Sequence, residues 1–231
     1  MIVPWLSKKK IAGCASGLIE AYEQIVQRDV HPPLPIEDII ERGLNLQLAF
    51  ADLRKKLKID DVLGATYIRQ RMICADESLL KHASEGRMFF TLAHEIGHWI
   101  LHRGFIKHAC RSNLLSDFIF CRLQDAKKPI EWQADYFASC LLMPEDQVCK
   151  AFYMIFGPRP LVLYNLHSSF YGPICFDPCV ENWPVIAAKI KQAGGFTNVS
   201  KQAMIIRLQE LGLVQNETHV RLSWRESFAR C

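Results

Sequence analysis

The residues of this chain best suited to do chemistry are two histidines four positions apart with a glutamate directly after the first: His94-Glu95-Ile96-Gly97-His98. On a helix, positions i and i+4 share a face, so His94 and His98 present their imidazoles together. Such a pair can share one zinc ion. Glu95 lies about 100° further round the same turn. A carboxylate there stands beside the open position of the ion, where it would act as general base while the metal serves as Lewis acid. The same letters would also suit a core helix that happens to carry two histidines, so a third ligand has to decide.

The segment that positions them reads as a helix. Phe89, Leu92, Ala93, Ile96, Trp99 and Ile100 recur at intervals of three and four, the helical period. Ser84 suits the N-cap, Glu85 the positive end, and Gly104 the C-terminal stop. The apolar stripe and the line His94, His98, His102 fall on different faces. That predicts a helix buried on one side and open to a cleft on the other. Gly97, in mid-helix, costs up to ~1 kcal/mol against alanine and reads as room for a close neighbour. His102 is about 12 Å along the axis from His94, too far to share its ion, and reads as a polar cleft-edge or hydrogen-bonded residue. His108 is weaker still as a ligand.

A second helix runs from Pro129 to Leu142, with Pro129 in its first turn and Pro144 marking its stop. Glu131 and Asp135 share a face, and Ala134 and Ala138, on or near it, are small enough to admit another helix. Zinc peptidases of one large group complete a pair of this kind with a glutamate from the following helix. A carboxylate one turn on then fixes the tautomer of a ligand histidine. Glu131 fits the ligand role and Asp135 the supporting one. The predicted site is therefore a single Zn²⁺ held by His94, His98 and Glu131, with Glu95 as catalytic base.

The stretches H-E-I-G-H-W-I-L-H (94–102) and E-W-Q-A-D-Y-F-A-S-C-L-L-M-P (131–144) resemble the ImmA/IrrE family of zinc metallopeptidases. That family shows H-E-x-G-H-x-x-x-H followed by E-x-E-A-[ND]-x-F-A-x-x-L-L-M-P. Phe196-Thr-Asn-Val-Ser200, Ala203 and Arg207-Leu-Gln-Glu-Leu-Gly-Leu213 are similar to its C-terminal helical element. Gln133 departs from the pattern, which usually has glutamate there, and the segment 150–188 has no recognised counterpart. The resemblance implies a cytoplasmic zinc endopeptidase that cleaves a DNA-binding repressor of helix-turn-helix type, as a derepression or stress-response switch.

The remainder of the chain fits a zincin-like α+β fold, mostly helical, with a small sheet beside the active-site helix. Helices are expected over 15–28 and 35–43. The alternation over 43–50 marks a strand, and 62–69 with 70–76 reads as a hairpin. Phe118 to Cys121 reads as a buried patch or short strand. An extended peptide could add to such a sheet at its edge. We expect a catalytic domain over 1–148, an irregular Pro- and aromatic-rich insertion over 149–188, and a basic helical element over 189–231. The insertion is either a packed surface loop or a substrate lid, with Tyr153, Tyr164, Tyr171 and His167 as open candidates for stabilising an oxyanion.

Net charge is +4 over 231 residues, too mild to announce a nucleic-acid protein. It is concentrated, however: 189–231 holds seven Lys/Arg against three Asp/Glu, so the rest is balanced at 21 of each. Helices expected over 185–193 and 199–212, the latter with Ser200 as N-cap and Gly212 as stop, are joined by a glycine-containing turn and form a helix-turn-helix-like element. The rival reading is thus a DNA-binding regulator, or a non-cleaving anti-repressor whose zinc is structural. Direct nucleic-acid binding is the less favoured of these. No run approaches the roughly 20 apolar residues of a membrane helix, and no signal-peptide core follows the N-terminus. An intracellular protein without membrane partners is expected. Nine cysteines, an odd number without a C-x-x-C pair, read as reduced, mostly buried thiols. For the closest pair, Cys175 and Cys179, two further zinc ligands are not obvious.

Overall fold

The computed structural model describes residues 3–81, 85–105, 118–122, 128–163 and 183–217. Ser84, His108, Tyr164, His167, Tyr171 and the Cys175/Cys179 pair lie outside them. The described residues are mostly helical with a small sheet, which is the α+β class. They fall into two compact units, Met1–Val30 with Leu34–Leu142, and His31–Pro33 with Met143–Cys231.

The first unit opens with α1 (Lys8–Val26). It begins seven residues earlier than the apolar pattern suggested because the Ser7 side chain caps it, accepting from the Lys10 amide at 3.3 Å. Ile11, Ala15, Leu18, Ile19 and Tyr22 form its buried stripe. The short helix α2 (Ile36–Asp38) widens into a π-type turn over Ile39–Gly43.

Strand β1 (Gln47–Ala51) leads to α3 (Leu53–Leu57), whose first turn is capped by Asp52. The expected hairpin forms from β2 (Val62–Tyr67) and β3 (Met72–Asp76). β1 lies parallel to β3, and β4 (Phe118–Arg122) pairs antiparallel with β2, giving the order β1-β3-β2-β4. Leu53, Val62, Ala65, Tyr67 and Cys74 form one apolar cluster on this sheet. A bulge follows Val62; beyond it side chains alternate, so Gly64 and Thr66 face away from Ala65 and Tyr67, toward Glu95 of the site helix.

After α4 (Ser78–Lys81) comes that helix, α5 (Glu85–Gly97), continued by a π-type turn over His98–His102. It packs on β2 and β3 on one flank and on α6 (Pro129–Leu142) on the other, and α6 in turn packs on α1.

The second unit holds α7 (Glu145–Phe156), β5 (Leu161–Leu163), α8 (Trp183–Gly194), α9 (Lys201–Glu210) and β6 (Val214–Asn216), with β5 parallel to β6. The irregular stretch expected from 149 is corrected over its first residues, since the helix runs on to Phe156. Val148, Ala151 and Phe152 are its buried face, a helical spacing hidden among aromatics that pointed to a loop.

Ser200 caps α9 as expected, accepting from the Ala203 amide at 3.0 Å, and Gly212 adopts φ +69° just beyond it. Ala203 to Leu208 of α9 are all buried, including Arg207, whose Nε donates to the Met143 carbonyl at 3.1 Å. Cys14, Cys74, Cys140 and Cys149 are free thiols. Among the described residues no helix is long and apolar enough to cross a membrane.

Candidate metal centre

Two close approaches create the site. The first is between helices. A Cβ on Gly97 would lie 3.1 Å from the Cα of Ala134 and 3.2 Å from its carbonyl oxygen. The bare glycine therefore lets α5 and α6 touch backbone to backbone, which brings the His94/His98 face onto the Glu131/Asp135 face. The second is between helix and sheet. A Cβ on Gly64 would lie 2.5 Å from Oε1 of Glu95, so β2 leaves a notch that the Glu95 carboxyl fills.

The expectation of an open histidine face does not hold. His94, Glu95 and His98 are all buried, because α6 and the sheet cover opposite flanks of α5. The ligand-type atoms of His94, His98 and Glu131 lie within 4.8 Å of one another. His94 Nε2 is 2.9 Å from His98 Nε2 and 3.2 Å from Glu131 Oε2, and His98 Nε2 is 3.6 Å from Glu131 Oε1. On its far side the His94 ring donates from Nδ1 to Asp135 Oδ1 at 2.8 Å, the supporting role read from the spacing.

These contacts fit a metal ion. With the Nδ1 hydrogen of His94 committed to Asp135, its Nε2 carries a lone pair. Among the described residues Glu131 Oε2 is buried with no hydrogen-bond partner. Buried acceptors turned on one another need a positive charge between them. Two imidazole nitrogens and a carboxylate oxygen are a donor set that suits Zn²⁺.

The Glu95 carboxyl, one residue on from His94, reaches β2. Its Oε2 accepts from the Thr66 hydroxyl at 2.6 Å, and the same hydroxyl lies 3.1 Å from the Glu95 carbonyl. Its Oε1 is buried without a hydrogen-bond partner among the described residues. Burial pushes the Glu95 carboxyl above the usual carboxylate range, and the opposing pull of His98, His94 and Thr66 does not cancel it. For Glu131, burial acts in the same upward direction, but His98 and His94 together outweigh it and hold the carboxyl well below that range. One carboxylate is thus set to accept a proton and the other to stay ionised.

His102 is buried and outside the ligand group. Its Nδ1 is 3.0 Å from His98 Nδ1 and its Nε2 is 3.1 Å from Gln133 Oε1. Burial, reinforced by His98, holds its pKa down to about 3. Tyr153, an oxyanion candidate, belongs to the second unit, where it is half-exposed on α7. Sequence reasoning missed Gly64, Thr66 and Gln133. The two-residue spacing of Gly64 and Thr66 within a strand marks one face, but nothing local says that Glu95 lies across from it.

Two histidines and a carboxylate from adjacent helices, with a second carboxylate buried on the same turn, form a group that could hold a metal ion. Residues 78–155 match the family model Peptidase_M78, described as the IrrE N-terminal-like domain. The matched stretch holds both site helices and is similar to the ImmA/IrrE family. No curated protein matches the chain.

Proposed function

We propose that the chain is a zinc-dependent endopeptidase with a zincin-like catalytic domain, cutting a peptide bond in a protein substrate. The observation that carries this reading is the convergence of His94, His98 and Glu131 beside the buried Glu95. A cytoplasmic role in which the substrate is a DNA-binding repressor, cleaved as a regulatory switch, is supported by the family resemblance alone.

His94, His98 and Glu131 would hold Zn²⁺, which when bound would supply Lewis acidity toward a carbonyl and water. The remaining work falls to the chain's own groups. Asp135 fixes the His94 ring so that Nε2 faces inward. Glu131 stays ionised and lends negative charge to the ligand set. Glu95, whose burial favours its uptake of a proton, takes one from the attacking water and returns it to the leaving amine, a role of general base then general acid. Thr66 holds that carboxylate through Oε2, and Oε1, which has no hydrogen-bond partner among the described residues, is the oxygen that takes the proton.

The test is to incubate the purified protein with a helix-turn-helix repressor of the kind the family resemblance implies, taken from beside its gene, with and without a chelator. Cleavage that stops with the chelator is expected. Glu95→Gln should keep zinc and lose cleavage by ~10²–10⁴-fold, the usual worth of a positioned acid–base group, whereas His94→Ala should lose both. Normal cleavage by Glu95→Gln overturns the role of Glu95. Zinc-dependent disruption of the repressor without cleavage favours the anti-repressor reading. The DNA-binding reading has less support, since a recognition helix must offer side chains to a groove and Ala203 to Leu208 are buried in a row. Fluorescence anisotropy with duplex DNA checks it directly.

A further inference from the structure

His102 and Gln133 are 1 % and 0 % exposed, and neither belongs to the ligand group. They nevertheless link His98 to the backbone before α1. The chain of contacts runs from His98 Nδ1 to His102 Nδ1 (3.0 Å), from His102 Nε2 to Gln133 Oε1 (3.1 Å), and from Gln133 Nε2 to the Pro4 carbonyl oxygen (3.0 Å).

The direction of every hydrogen bond in this chain follows from its end. A carbonyl oxygen only accepts, so the Gln133 amide nitrogen donates to it and Oε1 is left as an acceptor. His102 Nε2 must therefore carry the hydrogen that Oε1 receives. A neutral imidazole has one ring hydrogen, so His102 Nδ1 is a bare acceptor. The hydrogen between the two rings then belongs to His98 Nδ1. That leaves His98 Nε2, the atom facing His94 and Glu131, with a lone pair.

We propose that His102 and Gln133 are positioning residues that lock His98 in its Nδ1–H tautomer, so that Nε2 is presented to the metal, and that the Pro4 carbonyl sets the polarity of the relay. The proposal rests on the reading of His94, His98 and Glu131 as ligands. It gives the two histidines different supports: Asp135 orients His94, and a neutral relay orients His98. It also explains why glutamine suits position 133. A glutamate there would accept from His102 but have no hydrogen for Pro4, setting two acceptors against each other. The N-terminal segment is held where the relay needs it. The Trp5 ring stacks on Trp132 with centroids 4.8 Å apart and planes at 7°, Trp132 stacks on Tyr136 at 5.7 Å, and Lys8 Nζ lies 5.1 Å from the Tyr136 centroid.

The test uses the full chain as wild type, His102→Phe, His102→Asn, Gln133→Leu and Gln133→Glu. Zinc affinity is measured by competition with a chromophoric chelator. Histidine tautomers are read from long-range ¹H–¹⁵N NMR of the metal-free protein. In the wild type, His98 should be in the Nδ1–H form and His102 in the Nε2–H form. His102→Phe and Gln133→Leu should lose zinc affinity by ~10–100-fold, the usual effect of removing the support of a ligand, and His98 should leave its single tautomer. His102→Asn, whose amide oxygen can accept from His98, should regain part of both. Gln133→Glu should fall below wild type. Unchanged affinity and an unchanged His98 tautomer in His102→Phe and Gln133→Leu overturn the relay, as does an Nε2–H form of His98 in the wild type. A wild type that binds no zinc would sink the metal centre, while the metal-free tautomers would still decide the relay.

Discussion

Glu95 is shaped by two residues of β2, one for the side chain it lacks and one for the hydroxyl it offers. Gly64→Ala would place a methyl carbon 2.5 Å from Oε1, forcing the carboxyl out of its notch. The histidines face α6 instead, so this variant should keep most of its zinc affinity and lose cleavage by ~10²-fold or more, as when an acid–base group is displaced. Thr66→Val removes the hydrogen bond that lowers the Glu95 pKa. The base must be ionised to act, so a higher pKa moves the acid limb of the kcat/KM profile to higher pH. An unshifted limb in Thr66→Val would disconnect Glu95 from that limb. The grouping of His94, His98 and Glu131 was legible in the sequence, because helical spacing alone brings the first two onto one face and the third has a recognisable context. Gly64, Thr66 and Gln133 were not, because each matters only through a partner that folding brings from elsewhere in the chain.

Between elements, the decisive contact is Gly97 against Ala134. Alanine at 97 would raise helix propensity by up to ~1 kcal/mol. The atoms its methyl would meet are backbone, at 3.1 and 3.2 Å, and cannot swing aside. Overpacking of this kind costs ~1–3 kcal/mol, so the net sign is destabilising. Gly97→Ala should melt lower than wild type and bind zinc more weakly, because α5 and α6 carry different ligands. A variant that melts higher with unaltered zinc affinity would show that the helices can separate freely. The hairpin β2–β3 and the helices α5 and α6 were legible from their periodicities. The burial of α5 from Phe90 to Gly97 was not, since its polar line reads as a surface until α6 is known to cover it. Nor was the run of α7 to Phe156, where aromatics at helical spacing imitate the composition of a loop.

For the molecule as a whole, the site couples folding to pH. Free imidazole titrates at 6.5, whereas His102 in the folded chain is held to about 3 by burial and by His98. The unfolded chain therefore takes up this proton first. The stability tied to His102 is complete above about pH 6.5 and is lost as pH falls toward 3, at no more than ~1.4 kcal/mol per pH unit. Denaturant titrations of the metal-free protein between about pH 7 and 5 should show wild type losing stability faster than His102→Phe. Equal slopes would mean that His102 takes up its proton without cost to the fold. The division into two units was not legible in composition, because it depends on pairings such as β5 with β6 that join distant parts of the chain.

One further property follows from the N-terminal indole laid flat on Trp132, whose neighbours in sequence are Glu131 and Gln133. Two nearly parallel chromophores at 4.8 Å share their excited states. The protein thus carries an exciton-coupled label of its own beside the ligand helix, and ultraviolet circular dichroism can follow that corner of the fold without any dye.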